Sequence, residues 1–409
     1  MFTSVLGLSD VTAQSTHPSH RVLYAKGGRA VTEAHRLFLR CGEVPLQGPD
    51  QFLLAALLAF KNSSFKLASV GPENISESID GRVASEYCLR PTERNRLHNK
   101  IKQVLGLLRF SRDALMWRPT IILGGIEGPM GLVCLLVAKA LRSKFAFLVH
   151  TDVHSPWLST TQRAINRFVV RNADTVIVHG PFLRDRALEL GCKPDRLFEF
   201  DTGFDPSESN DLNSKLEINA DGAHMFFYAG RIEADKGVFD LLHAFESIAS
   251  GRRVSLVFAG EGSQLSTLRA HAAASAHRAN IVVLGPIPHT DLMRWMRRAA
   301  VTVTPTQSTF PEGRCMSAME SLLVNTPVVA PGFGAFPYLV QHRVNGLLYE
   351  PDTVAALAQA LAATTSDAEL LSTLRDGAQK TGKALMHPQK TFMDCLNEAF
   401  LSMQMNHPT

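Results

Sequence analysis

The stretch Phe310-Pro-Glu-Gly-Arg-Cys-Met-Ser-Ala-Met-Glu320 runs directly into Ser321-Leu-Leu-Val-Asn-Thr-Pro-Val-Val-Ala330. It places Glu312 in a loop behind a proline and Glu320 on a short helix whose apolar residues recur at helical spacing. A helix that begins after a loop presents free N–H groups and a positive dipole end, which suit a phosphate. The two acids can then bind hydroxyl groups on either side of that phosphate. The pattern favours a nucleotide sugar as ligand; two unrelated surface acids are the simpler alternative.

A second polar element, Gly230-Arg-Ile-Glu-Ala-Asp-Lys-Gly237, follows an apolar strand predicted over 225–229. Arg231 and Lys236 lie on a turn bounded by glycines, so both cations can converge on one dianionic group. Sugar transfer from a nucleotide sugar builds negative charge on the departing diphosphate, and fixed cations stabilise that charge. Two solvated surface cations are the alternative interpretation.

These two elements resemble motifs of the retaining glycosyltransferases of GT-B architecture, family 4 in particular. The stretch from Glu312 to Glu320 resembles the Glu-x7-Glu motif of that family. The segment 230–237 resembles its Gly-Arg-Leu-x-x-x-Lys-Gly motif, with Ile232 in place of leucine. The resemblance continues in the same order over three further segments: 256–262, 281–288 and 300–305.

The resemblance implies an α/β fold of the GT-B type, in which two Rossmann-like domains face each other across a cleft. A chain of 409 residues also exceeds one ordinary domain. From Pro119 onward, apolar strands alternate with helices, which indicates a parallel sheet covered on both faces. We expect five parts: a flexible N-terminus (1–19), an acceptor-side domain (20–205), a linker (206–222), a nucleotide-sugar domain (223–385) and a terminal helix packing back on the first domain (386–409). In the first part of the chain, we predict a buried helix over 52–61 and strands over 21–25, 65–70, 120–123, 145–150 and 175–179.

For the diphosphate, the resemblance implies binding by Arg231 and Lys236 beside Gly230, with help from the N–H groups of Met316 and Ser317. The donor is a nucleoside-diphosphate sugar of the UDP or GDP type, and it is a substrate rather than a cofactor. No metal is expected, because the cations and the helix dipole neutralise the leaving group. The sequence also lacks the Asp-x-Asp pattern of the metal-dependent fold.

For the rest of the donor, the resemblance implies that Glu320 accepts the ribose hydroxyls and Glu312 contacts the sugar hydroxyls. Ile287 lies in the segment whose backbone contacts the nucleobase. His150, which ends a predicted strand of the first domain, contacts the donor sugar from the other side. His150, Arg231, Lys236 and Glu312 are therefore the expected catalytic residues.

One departure from the family pattern follows Glu312. The family usually has Phe-Gly after Glu-Gly, whereas this chain has Arg314 and Cys315. The larger Cys315 leaves the identity of the donor sugar open, and Arg314 could reach an acidic sugar or a phosphate. A nucleophilic role for Cys315 is not expected, because the sequence shows no paired base.

A helix predicted over 94–118 is strongly basic and carries an apolar stripe. A basic amphipathic helix can lie on an anionic membrane surface, so peripheral membrane contact through 94–118 is one interpretation. The alternative is an ordinary solvated helix packed on a sheet. The stripe residues are Leu97, Ile101, Val104, Leu105, Leu108 and Leu115, and the cations are Arg94, Arg96, Lys100, Lys102, Arg109, Arg112 and Arg118.

The composition describes a globular protein with ample core, since 45% of residues are hydrophobic and 20% are charged. A net charge of +4 is too mild to indicate nucleic-acid binding. Six scattered cysteines without a CxxC pair favour a reducing compartment. No signal peptide is predicted, because the N-terminus has no basic region and its apolar run over 5–8 is too short. No membrane span is predicted, because the longest apolar run, over 129–138, is half a span. We expect a cytoplasmic protein, or one bound peripherally at the inner face of the membrane.

The function implied by the resemblance is retaining transfer of a sugar to a saccharide or lipid-linked acceptor, in envelope polysaccharide or glycoconjugate synthesis. Two alternatives stay open. A nucleotide-sugar epimerase would share the fold, although both motifs favour a transferase. A catalytically silent binding or scaffold protein is the other, because of Arg314 and Cys315.

Overall fold

The computed structural model describes residues 20–27, 63–71, 74–79, 82–89, 96–201, 224–387 and 389–405. The chain forms two compact units, which are called unit 1 (residues 1–202 with 389–409) and unit 2 (residues 203–388). The predicted N-terminal segment 1–19, helix 52–61 and linker 206–222 lie outside the described residues.

Unit 1 contains an eight-stranded sheet. Its strands are β1 (Arg21–Gly27), β2 (Ser64–Gly71), β3 (Ile75–Ile79), β4 (Arg82–Cys88), β5 (Ile121–Gly125), β6 (Lys144–Val149), β7 (Thr175–His179) and β8 (Leu197–Phe200). Their order is β3-β4-β2-β1-β5-β6-β7-β8; β3 pairs antiparallel with β4, and the other pairs are parallel. Every residue of β5 and β7 is buried, as expected for apolar strands covered on both faces. The predicted parallel sheet is confirmed.

Strands β3 and β4 were not predicted from the sequence. Both carry serine and glutamate inside the strand, so no apolar run distinguishes them from a loop. These two segments form strands because of tertiary pairing: β4 pairs with β2, and β3 pairs with β4 at the edge of the sheet.

Four described helices of unit 1 connect successive strands, and a fifth lies at the end of the chain. They are α1 (Arg96–Trp117), α2 (Pro129–Leu141), α3 (Thr160–Asn172), α4 (Pro181–Glu189) and a terminal helix (Phe392–Met405). The terminal helix packs Leu396 and Phe400 against the sheet residues Val22 and Ile177. Across the helices of residues 96–201, 224–387 and 389–405, none combines the length and the apolar character needed to cross a membrane.

Helix α1 forms where it was predicted and packs against the end of β4, although not through its apolar stripe. Gly106, Phe110 and Ala114 are the residues that it buries, and the stripe is exposed to solvent. A Cβ on Gly106 would meet the carbonyl oxygen of Cys88, so the helix lies tightly against the end of β4. Small residues at helical spacing allow this close approach, and it turns the stripe outward.

Unit 2 contains a six-stranded parallel sheet. Its strands are β9 (His224–Ala229), β10 (Val254–Ala259), β11 (Ile281–Gly285), β12 (Val301–Val303), β13 (Val328–Pro331) and β14 (Gly346–Tyr349), in the order β11-β10-β9-β12-β13-β14. The surrounding helices are α5 (Val238–Ala249), α6 (Leu265–Ala274), α7 (His289–Arg298), α8 (Met316–Leu323), α9 (Phe336–Leu339), α10 (Val354–Ser366) and α11 (Ala368–Leu385). In such a sheet, ligands bind at the carboxyl ends of the strands.

Candidate active site

The loop after β9 carries the two predicted diphosphate-binding cations. It leaves the strand at Gly230, and its Ile232 is fully buried in the core. The hydroxyl of Tyr228 donates a hydrogen bond to the carbonyl oxygen of Arg231 at 2.6 Å. A single turn of 3-10 helix then ends at Lys236, and α5 begins directly after Gly237. The loop is thus anchored at both ends, which fixes the backbone from which both cations extend.

The loop after β12 carries Glu312 and is joined to the cationic loop by Gln307. The backbone N–H of Gln307 donates to the carbonyl oxygen of Asp235 at 3.0 Å. Its side-chain Nε2 donates to Oδ2 of Asp240 on α5 at 2.8 Å. One glutamine therefore holds the two loops in register.

The side chains of both loops converge. Nζ of Lys236 lies 2.6 Å from Oε2 of Glu312, in an ion pair whose side chains are only 14% and 12% exposed. The same Nζ lies 3.6 Å from the centre of the Phe310 ring, and the guanidinium carbon of Arg231 lies 5.2 Å from it. The fold thus brings Arg231 and Lys236 to one aromatic ring and pairs the lysine with Glu312. Their roles toward a ligand stay predictions.

Glu320 is held by a residue that the sequence did not identify. His289, the first residue of α7, places Nε2 at 3.1 Å from Oε1 of Glu320 on α8. Ile287, two residues earlier, packs against the core beneath β11. The only sequence feature that could have pointed to His289 is its position directly after Ile287-Pro288, at the start of a helix. Nothing in the sequence connects this histidine with Glu320.

The start of α8 contains the residues that depart from the family pattern. Cys315 precedes the helix and is buried, and Met316 and Ser317 form its first turn. Burial, with a smaller contribution from the charge of Glu312, raises the pKa of the Cys315 thiol to about 11. A protonated, buried thiol is a poor nucleophile, which agrees with the expectation that Cys315 does not attack the sugar. The Nε–H group of Arg314 donates to Sδ of Met319 at 3.0 Å.

His150 lies in unit 1, directly after β6 at the carboxyl edge of the sheet. The polar residues after it are ordered by local hydrogen bonds: Thr151 donates to Oε1 of Glu127 at 2.9 Å, and Asp152 accepts from the N–H of His154 at 3.0 Å. Burial raises the pKa of Asp152. Contact between His150 and a donor sugar stays a prediction.

Gly237 and Gly251 give a matched test of how tightly the cationic loop is packed. Both have a left-handed backbone, with φ of 68° and 72°. A Cβ on Gly237 would overlap the carbonyl oxygen of Pro305, whereas one on Gly251 would meet no atom within 4 Å. We expect Gly251→Ala to lower the free energy of unfolding by about 1 kcal/mol, the cost of the left-handed backbone.

Gly237→Ala is expected to lower the free energy of unfolding by about 3 kcal/mol or more, because overpacking adds to the backbone cost. Equilibrium urea unfolding of both variants measures the difference. Equal losses would show that the Pro305 backbone moves aside freely, contrary to the tight packing described above.

Comparisons with known proteins agree with the fold and the motifs. Residues 211–381 match the sequence model of the family described as glycosyl transferases group 1, and residues 80–199 match that of the glycosyl transferase 4-like domain. The chain is similar to D-inositol 3-phosphate glycosyltransferase 1 of Catenulispora acidiphila, with 28% identity over 230 residues that cover 51% of this chain and 53% of that protein. It is also similar to glycogen synthase of Mycobacterium tuberculosis, with 28% identity over 283 residues that cover 66% of each protein. The chain thus spans between about half and two thirds of the length of these curated relatives.

Among solved structures, HepE of Anabaena in complex with UDP superposes with a TM-score of 0.66 at 15% identity, covering 95% of this chain and 100% of that one. An identity this low shows the fold alone. Two units, each with a sheet of mainly parallel strands and interleaved helices, one of them carrying two acids and two cations at the carboxyl ends of its strands, define a glycosyltransferase of the GT-B class. Within that class, the chain belongs to the group 1 glycosyl transferases, and the predicted family is confirmed.

Proposed function

We propose that this protein is a retaining, metal-independent glycosyltransferase that moves a hexosyl group from a nucleoside-diphosphate sugar to a saccharide or lipid-linked acceptor. The proposal is carried by the approach of Arg231 and Lys236 to the Phe310 ring, together with the ion pair between Lys236 and Glu312. Two cations and a carboxylate in one small region suit a ligand that joins a diphosphate to a sugar. The UDP bound to HepE supports a donor of this chemistry.

Lys236 and Arg231 would act on the leaving group. In the proposed reaction, the bond between the anomeric carbon and the β-phosphate oxygen breaks, and the acceptor oxygen bonds to the same carbon. The proton of the acceptor passes to a phosphate oxygen on the same face, which accounts for retention. Negative charge grows on the diphosphate as the bond breaks, and fixed cations in a partly buried site stabilise that charge.

Glu312 and Glu320 would orient the donor. Glu312 has two carboxylate oxygens, so pairing one with Lys236 leaves acceptor capacity for sugar hydroxyls. The ion pair would also join the sugar and diphosphate parts of the ligand site, since the same lysine would contact the diphosphate. Glu320, oriented by His289, would accept the ribose hydroxyls.

Calorimetric titration with UDP, GDP and ADP tests the proposal, first without metal and then with magnesium. We expect one nucleotide to bind at least about tenfold more tightly than the other two, a difference of about 1.4 kcal/mol. Magnesium is expected to leave that affinity nearly unchanged, because cationic side chains supply the neutralising charge. Incubation with the matching sugar nucleotide then measures transfer or slow donor hydrolysis.

Each contrary result has a distinct meaning. Failure of all three nucleotides to bind would overturn the diphosphate site. Binding that requires magnesium would contradict metal independence alone. Tight binding without turnover on any acceptor or water would favour the silent binding protein.

A further inference from the structure

The outward face of α1 is an unusual surface for a helix of a parallel α/β unit. The apolar stripe, defined as Leu97, Ile101, Val104, Leu105, Leu108 and Leu115, has side chains from 42% to 68% exposed. Met116 beside it is 76% exposed. Single exposed apolar residues are ordinary, but a contiguous stripe indicates an interaction surface.

The stripe lies directly opposite the face by which α1 is attached. At about 100° per residue, Gly106, Phe110 and Ala114 centre on one side of the helix, and Leu97 and Leu108 centre on the other. A helix of 22 residues is about 33 Å long. The stripe therefore lies on the face of α1 that points away from its buried contact with β4.

Cations flank the stripe on both sides. Lys100 lies about 80° to one side of its centre and Arg109 about 100° to the other, as placed by helical geometry, and both are exposed. Arg112, also exposed, lies close to the stripe. The one acid of the helix, Asp113, accepts from the hydroxyl of Tyr87 and pairs with Arg112 at 3.0 Å. The outer surface of α1 is thus apolar along its centre and positive along its margins.

We propose that α1 is a docking helix for an anionic lipid surface, lying in the plane of that surface with the stripe inserted at the boundary between headgroups and acyl chains. Lysine and arginine side chains on both margins would extend to lipid phosphates while their methylene groups cover apolar surface. Each cation near an anionic bilayer adds to the attraction. This inference does not depend on the proposed transfer activity.

The charge arrangement favours lipid over a second copy of the chain. Two-fold pairing of α1 with itself would bring the marginal cations Lys100 and Arg109 of both copies together, which is unfavourable. An anionic bilayer presents the opposite charge at the depth where those cations lie.

The two helices next along the chain also carry exposed apolar and basic side chains. Helix α2 packs beside α1, and α3 packs beside α2. On these helices, Leu136 and Phe168 are exposed apolar side chains, and Lys139 and Arg167 are exposed cations.

Co-sedimentation of the full chain with vesicles tests the proposal. The probe is a mixture of phosphatidylglycerol and phosphatidylcholine at a ratio of about 1:2, in about 50 mM salt. We expect binding to these vesicles and little binding to pure phosphatidylcholine. The triple variant Lys100→Gln, Arg109→Gln, Arg112→Gln should bind about 100-fold more weakly. The double variant Leu105→Gln, Leu108→Gln should bind at least about tenfold more weakly at unchanged charge.

Matched controls separate this surface from general effects of charge and polarity. Arg278→Gln, Arg297→Gln, Arg298→Gln removes the same charge from exposed positions of unit 2. Leu188→Gln, Leu401→Gln removes two exposed leucines from elsewhere in unit 1. Both controls should bind vesicles like the parent chain, and thermal unfolding checks that every variant is folded.

Three results would overturn the proposal. The first is no binding to anionic vesicles by the parent chain. The second is equal loss in the α1 variants and their controls, since binding would then follow net charge alone. The third is a dimer in sedimentation equilibrium that dissociates in Leu105→Gln, Leu108→Gln, because a second copy would then cover the stripe.

Discussion

Replacing Lys236 with alanine is expected to lower kcat/KM for sugar transfer by about 1,000-fold, the loss typical for one fixed group that stabilises charge in a transition state. The ammonium group lies 2.6 Å from Glu312 and over the Phe310 ring, so its position is set before any ligand binds. Most of the loss should fall on kcat, because the charge that Lys236 meets grows as the bond to the diphosphate breaks. Steady-state kinetics with the matching sugar nucleotide measures it.

The variant also leaves the Glu312 carboxylate largely buried without its cation, which would destabilise unit 2. The double variant Lys236→Ala, Glu312→Gln removes that unpaired charge. It should recover thermal stability without recovering transfer. Lys380→Ala, at an exposed position of α11, is the matched control and should keep full activity. Near-normal turnover in folded Lys236→Ala would refute the assignment of this lysine.

Replacing Glu320 with alanine is expected to weaken donor binding by about 1,000-fold, because two hydrogen bonds from ribose hydroxyls to a carboxylate are worth roughly 2 kcal/mol each. The carboxylate is oriented by His289 at 3.1 Å, so both partners are already in place at the carboxyl edge of the sheet. Calorimetric titration of the variant with the preferred nucleoside diphosphate gives the change.

A ligand lacking the ribose hydroxyls makes this test specific. The parent protein should bind the 2′,3′-dideoxy nucleotide about 1,000-fold less tightly than the natural one, because the same two hydrogen bonds are lost. Glu320→Ala should bind the two equally, because the partner of the hydroxyls is gone. If the loss of affinity from Glu320→Ala and the loss from removing the ribose hydroxyls add up, Glu320 does not contact the ribose. His289→Gln should produce a smaller loss of the same kind, as expected for a residue that positions Glu320.

Much of the fold could be predicted because parallel sheets leave a strong signal in sequence. Strands β5, β7 and β9 are short apolar runs bounded by turns, since both faces of each strand are covered. Strands β3 and β4 were missed, because pairing with β2 orders them rather than any apolar run of their own.

The candidate site likewise has residues that the sequence predicts and contacts that only the fold shows. Arg231 and Lys236 lie five residues apart on one turn, and Glu312 and Glu320 lie on one loop and its helix, so spacing along the chain identified all four. The pairing of His289 with Glu320 and the connection of the two loops by Gln307 join residues from separate elements. No local pattern contains such contacts.

Helix α1 shows most clearly what sequence and tertiary structure each contribute. The sequence alone determined that this segment is a basic helix with one apolar stripe, because side-chain spacing sets which residues share a face. Only the tertiary structure decided which face is buried. The small residues Gly106 and Ala114, with Phe110 between them, fit closely against the end of β4, and this packing turned the longer apolar side chains outward. Periodicity is a property of the helix, whereas burial depends on the shape of the surface that the helix meets.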